Sequence, residues 1–77
     1  MKSLSEVTDQ QCYEIAVLDG WKRLWEEDRG GKGTVDDEEL IERGRDIVEG
    51  EIEHHWLNVD TINGYLNKHG YECLNAL

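Results

Sequence analysis

Glu51 and His54 stand three residues apart, with His55 next in line. This E-x-x-H step is the spacing from which helical bundles build carboxylate–imidazole metal centres, but a di-iron centre needs two such steps and carboxylates from further helices. The chain supplies one. Zinc would have to be assembled from His55, His69, Cys12 and Cys73, whose separations match no zinc-site spacing. The run GGKGT at residues 30–34 has the look of a phosphate cradle. It lacks the G-x-x-x-x-G-K-[ST] spacing, and the carboxylates around it repel a nucleotide. No nucleophile–base pair and no carboxylate pair is specified, so an enzyme is not expected, nor is a cofactor or a bound metal.

A different pattern has more regularity. Glu38, Glu42, Asp46, Glu49 and Glu53 follow one another at steps of three or four residues. On a continuous helix, turning about 100° per residue, they share an arc of about 80° and run for about 22 Å. Neighbours on such a stripe have Cβ atoms about 5–6 Å apart, and like charges there cost a few tenths of a kcal/mol per pair. Arg43 and Arg45 lie outside the arc. Stability alone does not call for this arrangement, which reads either as the clustering any exposed face of an acidic helical protein shows or as a surface shaped to dock on a basic groove.

Composition sharpens the same point. Among 77 residues, 18 Asp and Glu stand against eight Lys and Arg, a formal net charge of −10. Segment 26–53 carries 12 of those acids and four of the bases, while the flanking segments are nearly neutral. Phosphate neutralisation dominates affinity for DNA, and this balance cannot supply it. The helix that would read a groove offers only Lys68 and His69 as cations. Direct nucleic-acid binding is therefore not expected, and an anionic membrane is repelled as well.

No 18-residue apolar run is present and MKSLSEVTDQ has no apolar signal core, which argues for a cytoplasmic protein. Two cysteines fall far short of a disulfide scaffold, so Cys12 and Cys73 are read as thiols, with a bridge between the chain ends as the alternative. Leu, Ile and Val together number 18 and Phe is absent, so three Trp and three Tyr must supply much of the buried area.

The elements that position these residues follow from caps and periodicity. Thr8 with Gln11 forms a capping box, and good helix formers then run to about residue 27. The apolar residues of that stretch fall into two stripes, Tyr13, Ala16, Val17, Gly20 and Leu24 beside Leu18, Trp21 and Trp25. Glycines 30, 31 and 33 turn the chain, and Asp36 with Glu39 caps a second helix over about 37–56. Its core stripe is Leu40, Ile41, Gly44, Ile47, Val48, Ile52 and His55, where His55 reads as a satisfied or half-buried structural histidine. A third helix spans about 60–69, ended by a left-handed Gly70 with Tyr71 folding back on Leu66. The expectation is one domain over 1–77, an all-α three-helix bundle with a long central acidic helix and short loops.

Aligned from Asp28, the segment DRGGKGTVDDEE resembles the twelve-residue EF-hand loop. Asp28, Gly33, Val35, Asp36 and Glu39 occupy its positions 1, 6, 8, 9 and 12. Gly30 and Lys32 depart from it, where side-chain oxygens belong. The resemblance implies a degenerate EF-hand-like module. In size and charge the chain also resembles the small acidic inhibitors of phages and mobile elements that mimic DNA, including anti-CRISPR proteins, an analogy that implies a basic partner.

The function expected from the sequence is thus a small acidic interaction module, an inhibitor or regulator docking a carboxylate-lined helix on a basic surface of a nucleic-acid-handling protein. Glu38, Glu42, Asp46, Glu49 and Glu53 would meet that surface, and exposed aromatics from Trp21, Trp25 and Trp56 would anchor it. The alternatives are the EF-hand-like module and a homodimeric helical protein using the second stripe of the first helix.

Overall fold

The chain folds into four α-helices behind a short 3-10 turn, seen in a computed structural model that describes residues 1–75. The turn is Leu4–Glu6, and the helices are α1 Asp9–Leu18, α2 Trp21–Arg29, α3 Asp37–Val48 and α4 Val59–Lys68. The all-α class holds, with one isolated parallel bridge between Lys2 and Tyr71. The expected three-helix count does not.

The start of α1 follows from its capping box. The Gln11 amide N–H donates to the Thr8 hydroxyl at 3.2 Å, and the Thr8 N–H donates back to Gln11 Oε1 at 3.0 Å. The helix expected to continue to residue 27 stops at Leu18, however, because Asp19 caps it and Gly20 takes φ +87°. Gly20 then serves as the N-cap of α2 through its carbonyl, which accepts the Leu24 N–H at 2.9 Å. Each of the two expected apolar stripes is therefore divided between α1 and α2. Val17 and Leu24, both on the first stripe, are exposed, while Cys12, Ile15 and Ala16 are fully buried.

α3 is the longest helix and packs chiefly on α1, with further contact to α2. Leu40, Gly44, Ile47 and Val48 bury its inner face, as the periodicity requires. Asp37, Glu38 and Glu39 fill its first turn, where carboxylates favour the positive end of the helix dipole. The end comes earlier than residue 56. Gly50 adopts φ +76°, its N–H donates to the Ile47 carbonyl at 3.1 Å, and the Glu51 N–H reaches the Asp46 carbonyl at 3.0 Å. This is a Schellman ending, and residues 51–58 follow as an irregular connection.

α4 ends in the same way and as expected. Gly70 takes φ +79°, its N–H bonds to Asn67 at 3.1 Å, and the Tyr71 N–H bonds to Leu66 at 2.9 Å. Asn63 then clamps the chain beyond it, accepting from the Leu74 N–H at 2.6 Å and donating to the Leu74 carbonyl at 3.3 Å. The core joins Val7, Cys12 and Ile15 to Ile47 and Val48 of α3, Ile62 and Leu66 of α4, and Tyr71 and Leu74.

Candidate functional site

The five carboxylates of the expected stripe are divided by the end of α3. Glu38, Glu42 and Asp46 share one face of the helix, Glu49 is its C-cap, and Glu53 lies beyond it in the connection. The single arc over five residues is therefore corrected to an arc over three, with a run of about 12 Å. The physical reason is Gly50, whose left-handed backbone ends the helical register before Glu53 can join it.

The cations nearest this face are committed elsewhere. Arg29 forms a bidentate pair with Glu39, at 2.9 and 2.8 Å. That guanidinium holds the Glu39 carboxyl down to about 2, with the Asp36 N–H helping. Arg45 turns away to α1, donating to the Val7 carbonyl at 2.7 Å and to Asp9 at 3.2 Å. The Arg43 guanidinium lies 4.7 Å over the Trp21 ring and 5.3 Å over the Trp25 ring. Among the described residues, Glu38, Glu42, Asp46, Glu49 and Glu53 form no ion pair within 4 Å. A groove of about 360 Å³ between α2 and α3 is lined by Glu39, Glu42 and Asp46 together with Trp25, Arg29 and Arg43.

The tryptophans are not equivalent. Trp21 and Trp25 are half-buried, with ring centroids 5.5 Å apart, and Arg29 stacks on the outer face of the pair at 5.3 Å from Trp25. Only Trp56, at 69% exposure, presents a largely free indole. It lies in the irregular connection beside Leu57, which is also exposed.

Trp21 leads to a residue that the sequence pattern did not single out. Its indole N–H donates to Asp19 Oδ2 at 2.7 Å, and Asp19 is fully buried. The other Asp19 oxygen accepts the Asn58 N–H at 3.3 Å. One carboxylate thus ties the α1–α2 break to the entrance of α4. Burial raises its pKa, against the lowering effect of those two hydrogen bonds and of nearby His55. The signal available in the sequence is the Asp19–Gly20 pair, a turn dipeptide inside an apolar pattern.

The candidate metal and loop residues do not converge. No three His, Cys, Asp or Glu side chains among the described residues lie close enough to share a metal ion. In the loop that resembles an EF-hand, Glu39 is taken by Arg29, and Arg29 also donates to the Thr34 carbonyl at 3.0 Å. Glu26 accepts the Gly33 N–H at 3.3 Å. The loop is closed by an arginine, not arranged around a central point. Cys12 and Cys73 are both free thiols, the first buried and the second exposed. His55 is buried as expected, but neither ring nitrogen has a hydrogen-bond partner. No described helix is long and apolar enough to cross a membrane.

Comparison of the chain with protein-family models, with curated proteins and with solved structures finds no match.

Proposed function

We propose that this protein is an acidic interaction module that docks the outer face of α3 on a positively charged surface of a nucleic-acid-handling protein, as an inhibitor or regulator of the DNA-mimic type. The observation that carries the reading is the disposition of the arginines. Three of them stand within reach of α3, and each is turned onto Glu39, onto α1 or onto the tryptophan pair. Glu38, Glu42 and Asp46 are left without a counter-ion within the fold, a cost that a basic partner removes on binding. Glu49, Glu53 and the exposed Trp56 extend the surface beyond the helix end, and Trp21 and Trp25 engage the Arg43 guanidinium through their rings.

The test is affinity capture from the native host at moderate and high salt. Wild-type protein and an E38K/E42K/D46K variant with unchanged far-ultraviolet dichroism serve as baits. A specific partner should be retained by wild type, lost at high salt, lost with the variant and displaced by duplex DNA. Retention of the same partner by the variant at physiological salt would refute the docking face.

A second reading rests on the apolar residues left exposed. Leu24 and Leu57 line a shared groove of about 310 Å³ with Gly20, and Trp56 adjoins Leu57 in the chain. Self-association through this side would make the protein a homodimer, which light scattering across a concentration series reads directly.

A further inference from the structure

The groove of about 310 Å³ beside the α1–α2 break is held in shape by the fold itself. The Leu57 Cδ1 stands 3.5 Å from where a Cβ on Gly20 would lie, and the Asn58 N–H is fixed to buried Asp19. Leu24 and Leu57 line it and are exposed, and Trp56, next in the chain to Leu57, is the most exposed aromatic. Single exposed apolar residues are ordinary. Here a protruding indole and an apolar groove are neighbours on one surface, the disposition a two-fold contact requires, since each copy then offers both.

Charge selects the occupant. The charged residues lining the groove are Arg23 and Glu27, paired at 3.2 Å, so the lining is neutral on a chain of net charge −10. A basic partner is drawn to the carboxylates of α3, none of which lines this groove. A second acidic copy is repelled from α3 but meets no net charge here. The two side chains of the pair are 86% and 66% exposed, so they stabilise the single chain little and are free to exchange partners.

We infer that a second copy of this chain covers the groove in a two-fold dimer. Trp56 of each copy sits on Leu24 and Leu57 of the other, and Arg23 of each faces Glu27 of the other. The dimer rests on the second reading above, self-association, and gives it an interface. At 69% exposure Trp56 can bury about 100–170 Å², against about 800 Å² per partner in a standard interface. The dimer is therefore weak, with a dissociation constant of about 10–100 μM.

Sedimentation equilibrium of the full chain from about 5 μM to about 1 mM brackets that constant. A monomer–dimer equilibrium that stops at two copies is expected, and added salt should tighten it, because two chains of charge −10 repel more than the rim pairs attract. Trp56→Ala should weaken it about tenfold or more, as loss of an aromatic anchor does. R23E and E27R should each weaken it about fivefold, and R23E/E27R should restore it by re-forming both pairs across the axis. All three side chains are exposed, and far-ultraviolet dichroism checks that each variant keeps the fold. Growth beyond two copies, a dimer weakened by salt, or a swap that restores nothing would overturn the inference. A dimer indifferent to Trp56→Ala would overturn it too, while leaving self-association standing on another surface. A chain monomeric throughout would give the groove to an unlike partner and remove both. The E38K/E42K/D46K variant should dimerise at least as well as wild type, so the α3 docking face is tested separately.

Discussion

Gly44 of α3 lies so close to Cys12 of α1 that the Cys12 carbonyl occupies the space a Cβ would need. The obstruction is backbone, which cannot swing aside as a long side chain can. Gly44→Ala must therefore push α1 and α3 apart along the principal packing of the fold. Overpacking of this kind costs about 1–3 kcal/mol or more. Gly64 supplies the control, since a Cβ there meets nothing within 4 Å and the residue lies inside α4. Gly64→Ala should stabilise by about 0.5–1 kcal/mol. Urea unfolding of both variants should move the midpoint in opposite directions, and a shift of the same sign in both would contradict the packing.

The Arg29–Glu39 pair predicts an acid-side loss of stability. The folded pKa of Glu39 is lowered from its ordinary 4.5 to about 2 by Arg29 first and by the Asp36 N–H second. A carboxyl lowered on folding adds stability above its ordinary value, and that contribution fades as pH falls through about 2. The pair is solvent-facing, so its effect on the whole fold is small and the site-specific titration is the better readout. Carbon-detected titration should place the Glu39 midpoint well below the ordinary 4.5. In Arg29→Gln the Glu39 midpoint should climb back toward 4.5, and an unmoved midpoint would mean the pair does not form in solution.

Asp19 predicts the opposite sign. Burial raises its pKa above 3.8, so the folded chain holds that proton more tightly than the unfolded chain does. Its contribution is most favourable at low pH and declines as pH rises through the raised value. Removing the carboxyl altogether strands the Trp21 indole N–H and the Asn58 amide. Asp19→Ala removes two part-buried hydrogen bonds, each worth about 0.5–1.5 kcal/mol. Faster hydrogen exchange at both donors, with little change within α3, is the expected signature. Exchange rates that stay as slow as in wild type would show that other acceptors hold the junction.

The two thiols should differ sharply in reactivity. Cys12 is fully buried, and burial is the leading cause of its raised pKa, which keeps the thiolate scarce. Cys73 is exposed, with its sulfur 3.9 Å from the Asn63 carbonyl. Under native conditions a thiol reagent should modify one cysteine promptly and the second only at the rate of unfolding. Prompt modification of both would show that α1 and α3 open locally.

How far the sequence reached depended on the range of the interactions involved. The capping boxes at Thr8–Gln11 and Asp36–Glu39 and the Gly70 ending are contained within a few residues, so they are legible in the chain and recur in the fold. The inner face of α3 was equally legible, because burial on one side imposes a helical period. The ending at Gly50 was written in the same local code but was overrun by the continuing apolar pattern through Ile52 and His55. That overrun is what made three helical carboxylates look like five.

Other features depended on contacts between distant parts of the chain. The break at Asp19–Gly20 is secured by an amide from Asn58, and Arg45 is drawn off α3 by the carbonyl of Val7. Arg43 and both half-buried tryptophans find one another only because α2 folds back beside α3. The acidic character of the middle of the chain is a property of composition, and the sequence by itself determined it. Which carboxylates remain without a counter-ion depends on where each arginine ends up, and only the tertiary structure decided that. A guanidinium reaches the acceptor that folding brings nearest, and that acceptor need not be close in sequence.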